Sequence, residues 1–205
     1  MRKILIFILL FWSVMQAEEN YLERLVQGNQ RFAEGKSTHP NRDLERLQET
    51  AQSQTPFAAI IGCSDSRVPL EIIFDQGIGD LFIVRVAGNV VGPVELASIE
   101  FAVLQLKTPL IMVVGHKNCG AINAVMEGKT EGMEAVVSLV NPAIAEAKKQ
   151  PQYTLETAIK DNVNHVVNQL KGHPENLAEL IEKKKLQVVG GYYNLTTGKV
   201  EILAP

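Results

Sequence analysis

Three short apolar runs constrain this chain more than any other feature: Phe57 to Gly62, Asp80 to Val86 and Leu110 to Gly115. Each is rich in Ile and Val, and each is bounded by Gly, Pro or a polar residue. Continuous runs of this length suit strands covered on both faces, as in a parallel sheet. Between the second and third, Leu96, Ile99, Val103 and Leu106 recur at helical spacing across Val94 to Leu106. Strand, helix, strand in this order implies an α/β fold with a central, mostly parallel β-sheet flanked by helices.

The flanks complete the outline. Leu22, Leu25, Val26, Phe32 and Ala33 follow helical spacing across Asn20 to Glu34, and a second short helix starts near Asn41, capped after Pro40. Both carry many charges and few large apolar groups, which predicts an N-terminal helical arm that needs a surface to lie on, such as a partner subunit. Towards the other end, Leu155, Ala158, Ile159, Val163, Val166, Val167 and Leu170 mark an amphipathic helix. Pro174 opens a further helix to Lys184, and Leu186 to Tyr193 and Lys199 to Leu203 read as strands joined by a turn containing Thr197-Gly198. The chain shows no repeat, low-complexity tract or dividing linker, so residues 18–205 read as a single domain.

Residues 1–17 read differently. Arg2 and Lys3 precede an apolar run from Ile4 to Val14, and Ala17 stands before Glu18-Glu19. This is the layout of a secretory signal peptide, and the run is shorter than the roughly 20 residues a membrane span needs. Export to a periplasm is the expectation, with no stable membrane association once the signal is cleaved. Cleavage takes Arg2 and Lys3 away, which moves the formal charge from −3 to −5. A mildly acidic chain without a basic stripe argues against a nucleic-acid partner.

The chemistry concentrates in two segments that hold both cysteines: Cys63-Ser64-Asp65-Ser66-Arg67 and His116-Lys117-Asn118-Cys119-Gly120. Cys63 follows the first central strand and His116 the third, so both emerge at the carboxyl edge of the sheet, where open α/β folds bind ligands. The three-residue spacing of His116 and Cys119 lets one turn at a helix N-terminus aim both at one point, where backbone N–H groups favour a thiolate. In an oxidising compartment two cysteines often form a disulfide, but that leaves His116, Asp65 and Arg67 unexplained. A cysteine nucleophile would want a phosphate cradle, and no Gly-rich loop follows Cys63. A metal site accounts for every residue: thiolate and imidazole suit zinc, and three protein ligands leave a fourth position open.

These motifs resemble the two signatures of β-class carbonic anhydrases. The likeness extends through Arg85-Val86-Ala87-Gly88-Asn89, the helix around Ser98-Ile99-Glu100 and the closing Gly191-Tyr192-Tyr193 … Thr197-Gly198 hairpin, nearly all of residues 20–205. The resemblance implies one zinc ion per subunit, held by Cys63, His116 and Cys119, and reversible hydration of carbon dioxide to bicarbonate and a proton. A water in the fourth position would ionise and attack, organised by Asp65 with Arg67 holding it. It also implies Gln54 and Phe82 in the substrate pocket, and a homodimer or dimer of dimers.

Some positions depart from the family pattern. Phe101 stands where some members carry a pocket Tyr, which removes a hydrogen bond there. Ile60 replaces a Trp that one subtype uses in a regulatory bicarbonate site, although Arg85 matches another residue of that site; this predicts no such inhibition. Gly88 reads as a backbone turn and Asn89 as a cap. His39, His165 and His173 have no motif around them. Two other activities keep the same ligands in view: hydrolysis of carbon disulfide or carbonyl sulfide on the same scaffold, and non-catalytic zinc binding, which would require a fourth protein ligand.

Overall fold

The computed structural model describes residues 20–173 and 176–203; the signal-peptide reading and the helix start read at Pro174 fall outside them. The strands are β1 (Ala58–Gly62), β2 (Leu81–Arg85), β3 (Leu110–His116), β4 (Gln187–Tyr193) and β5 (Val200–Leu203). They form one sheet in the order β2-β1-β3-β4-β5. β1 pairs in parallel with both β2 and β3, and β3 in parallel with β4; β5 alone is antiparallel. The α/β class read from the apolar runs is the class observed.

Every residue of β1 and β3 is buried, as two-sided cover requires. β2 is only half-buried, because it is an edge strand in this chain. Alternation sends Ala59, Ile61, Ile111 and Val113 to one face, against Ile159, Val163 and Val167. Ala58, Ile60, Leu110, Met112 and Val114 face the other side, against Leu25, Leu70, Ile73 and Phe74.

The helices are α1 (Tyr21–Ala33), α2 (Leu44–Thr50), α3 (Leu70–Ile73), α4 (Pro93–Glu100), α5 (Gly120–Glu127), α6 (Glu134–Ala147), α7 (Leu155–Lys171) and α8 (Leu177–Glu182). A π-helical stretch, Phe101–Gln105, extends α4. α7 starts at a reciprocal cap, in which Thr154 Oγ1 accepts from Thr157 N and Thr157 Oγ1 accepts from Thr154 N. It lies close on the sheet because a Cβ at Gly115 would stand 2.6 Å from a Val163 methyl, and one at Gly190 2.9 Å from the other.

α1, the first helix of the expected arm, finds its surface within its own chain rather than on a partner. Leu25 is fully buried, and Asn29 is buried while donating to the carbonyls of Ile73 and Gly198 and accepting from Val200 N. The helix packs on its own sheet because a narrow stripe that includes the small Gly28 and the polar Asn29 does the docking, while the charges face outwards. Arm-like character is confined to α2, which buries no residue and exposes Leu44 and Leu47. Among the described residues no helix is long and apolar enough to cross a membrane.

Candidate metal centre

Strand order creates the site. The chain leaves β1 towards β2 on one side, and leaves β3 towards β4 on the other. The carboxyl ends of β1 and β3 therefore flank a topological switch point, where open α/β sheets bind their ligands. Cys63 follows β1 directly, and His116 is the last residue of β3. Lys117 and Asn118 turn the chain, Asn118 at a φ of 55°, and Cys119 is the N-cap of α5. One helical turn does not carry both ligands, as the spacing suggested; a strand end and a helix cap do.

The Cys63 and Cys119 sulfurs lie 3.9 Å apart and are not bonded, whereas a disulfide would bring them to about 2.05 Å. Two thiolates about 2.3 Å from a tetrahedral zinc stand roughly 3.8 Å from each other. The two sulfurs and a His116 ring nitrogen all lie within 4.8 Å of one another, and all three residues are buried. His116 Nδ1 is 3.0 Å from the Lys117 carbonyl, which makes it the N–H donor. Nε2 is left buried and, among the described residues, without a hydrogen-bond partner, in the tautomer a metal ligand needs.

The thiols are unequal in this arrangement. A hydrogen bond from Cys119 holds Cys63 below the usual thiol range. Cys119 is pushed far up, first by Cys63 and then by burial, although the N–H groups of Ile122 and Ala121 act the other way. Two anionic sulfurs this close repel, so a divalent cation between them is what allows both to ionise. The donor set fits zinc.

Asp65 and Arg67 stand beside the cluster. Asp65 Oδ1 accepts from Arg67 N and Nε, both at 2.9 Å, and Oδ2 accepts from Nη2 at 2.7 Å. This fork holds the Asp65 carboxyl well below the usual carboxylate range. Asp65 Oδ2 lies 3.8 Å from His116 Nε2. Arg67 Nη2 also donates to the Asn118 carbonyl, tying the two motifs together.

Gln54 and Phe82 are not brought to the cluster within one chain. Gln54 is exposed ahead of β1, in a shallow groove with Thr50 and Ile78, while Cys63 follows the strand's far end. Five strand residues, about 17 Å, separate the two ends. Phe82 pairs in register with Ala59, four residues before Cys63, and its ring lies 6.4 Å from that of Phe101.

Other contacts are not legible in the motifs. Arg85 donates from Nε to the Cys63 carbonyl and from Nη2 to the Asp65 carbonyl, fixing the loop that carries both side chains. Gly88 N donates to Cys63 Sγ at 3.3 Å. Asn162, buried on α7, donates to the Gly88 carbonyl. The available signal for Asn162 is a polar residue at a position of the helix's apolar stripe.

The pattern that defines the carbonic anhydrase family matches residues 58–200. A carbonic anhydrase of Mycolicibacterium smegmatis is 39% identical over 184 residues, covering 87% of this chain and 89% of the relative. Carbonic anhydrase 2 of Mycobacterium tuberculosis is 38% identical over 181 residues, covering 85% and 87%. Among solved structures, the Coccomyxa β-carbonic anhydrase in complex with acetazolamide superposes with a TM-score of 0.71 at 27% identity, covering 89% of this chain and 86% of that one. The chain belongs to the carbonic anhydrase family, in its β class.

Proposed function

We propose that this carbonic anhydrase hydrates carbon dioxide reversibly at a zinc ion held by Cys63, His116 and Cys119, with Asp65 and Arg67 as its organising pair. The observation that carries the reading is the convergence of three buried donors within 4.8 Å, one of them an unpartnered imidazole nitrogen. Bound there, zinc supplies the Lewis acidity that makes water nucleophilic near neutral pH, as is known for carbonic anhydrases themselves. Asp65 Oδ2, the carboxylate oxygen nearest His116 Nε2, accepts the hydrogen bond of the attacking water and turns its lone pair towards the substrate carbon. Arg67 keeps that carboxylate ionised and stops it rotating.

A homodimer completes the pocket in this reading. Val94 and Phe101 are exposed on the α4 segment, and Leu44 and Leu47 on α2, beside a half-buried edge strand. Gln54 and Phe82 lie too far from their own cluster to wall it, so Gln54 and Phe82 of the partner subunit take that role. The segment 1–17 directs export.

Metal analysis with stopped-flow hydration of the same preparation tests the function. About one zinc per chain with activity, both lost in His116→Ala, is the expected outcome. Zinc without hydration, or faster turnover of carbonyl sulfide or carbon disulfide than of carbon dioxide, would overturn it.

A further inference from the structure

We infer that Asn162 is a positioning residue for the metal centre: from α7 it fixes the Gly88 turn, whose N–H donates to the Cys63 sulfur. The inference rests on the metal reading above and adds a tuning element to it.

Gly88 has φ 72° and ψ 16°, and Asn89 follows at φ 45°. Two successive residues in the left-handed region persist only where surrounding contacts hold them. Asn162 supplies such a contact, its Nδ2 lying 2.8 Å from the Gly88 carbonyl. The same glycine places its N–H 3.3 Å from Cys63 Sγ.

Asn162 is fully buried, flanked on its stripe by Ala158, Ile159, Val163 and Val166. Burying a carboxamide among such residues is costly, and its Oδ1 has no hydrogen-bond partner among the described residues. An aliphatic residue would pack there at lower cost, so the bond to Gly88 is what the position provides. Asn162 touches neither substrate nor ligand atoms; it acts through Gly88.

The chemical consequence concerns the metal. Two thiolates donate strongly to zinc and blunt its Lewis acidity. An N–H directed at one sulfur withdraws electron density and restores part of that acidity. Asn162 thus couples the helix packed across the sheet to the electronics of the ion.

The parent, Asn162→Leu, Asn162→Ala and Val163→Ala are compared, loaded with zinc and separately with cobalt. Both Asn162 variants should hold zinc about tenfold to a hundredfold more weakly in chelator competition, because the Cys63 sulfur loses the donor that holds it in place, and their cobalt–thiolate absorption should move to lower energy. Val163→Ala removes neighbouring packing and should leave both readings near the parent's. Parent-like readings in the Asn162 variants, or equal changes in Val163→Ala, overturn the inference. A third measurement needs no variant: NMR of the cadmium-loaded parent should show coupling between the metal and the Gly88 amide proton across the hydrogen bond, and its absence also overturns the inference. A parent that binds no metal defeats the metal reading instead, so the two failures are distinguishable.

Discussion

Arg67 decides what Asp65 can do. With both carboxylate oxygens engaged by the guanidinium, Asp65 is held ionised beside the cluster; without that side chain only the backbone N–H of residue 67 is left on Oδ1, and in the proposed site Oδ2 could turn towards the metal. Arg67→Ala should lower hydration on the order of a hundredfold while zinc content stays normal, checked by stopped flow and metal analysis. Arg67→Lys should recover little, because an ammonium cannot make the fork. The two cysteines give a second expectation at this scale. Metal-loaded protein should contain no disulfide, and chelation should expose two thiols to a chromogenic disulfide reagent; a Cys63–Cys119 bridge in active protein would contradict the site. These side chains were legible because reactive types cluster at short spacing in two motifs. The contacts of Arg85 and Asn162 were not, because each reaches a backbone carbonyl remote in sequence.

Helix α1 shows how far periodicity reaches. Its spacing predicts the helix well, but its charges point to an arm lying on a partner, and the structure packs it on its own chain, against α3. The reason is Gly28, where a Cβ would meet the Phe74 carbonyl oxygen at 2.0 Å. Backbone cannot step aside as a rotamer can, so Gly28→Ala should cost about 1–3 kcal/mol of stability, measured by urea unfolding. Asp75 is the electrostatic clamp of the same region, accepting from Arg31 Nε and from the N–H groups of Thr38 and His39. Burial opposes its ionisation, but these donors together lower it to about 2. Because the folded value lies below the unfolded one, its contribution is fully present above about pH 4 and is lost as the pH falls towards 2. It amounts to on the order of 2 kcal/mol. Asp75→Asn should flatten the stability profile in that window, read by urea midpoints at successive pH values.

At the scale of the whole molecule, β2 is an edge beside exposed Val94 and Phe101, and the proposed dimer covers it. Val94→Asp should shift sedimentation towards monomer and lower hydration severalfold while leaving zinc bound; an active monomer would remove the shared pocket. Local sequence was enough for the α/β class and for the carbonic anhydrase family. Continuous apolar runs suit strands covered on both faces, as β1 and β3 are, and two thiols, an imidazole and an Asp–Arg pair suit a zinc centre better than a staple. Tertiary structure alone decided the rest. Cys63 and His116, 53 residues apart in sequence, meet because β1 pairs with β3. The pairing that unites them also strands Gln54 at the opposite end of β1. Close approach at Gly115 and Gly190 brings α7 onto the sheet, and at Gly28 it brings α1 onto the end of α3. Contacts of that kind depend on distances between remote segments, and local periodicity carries no information about them.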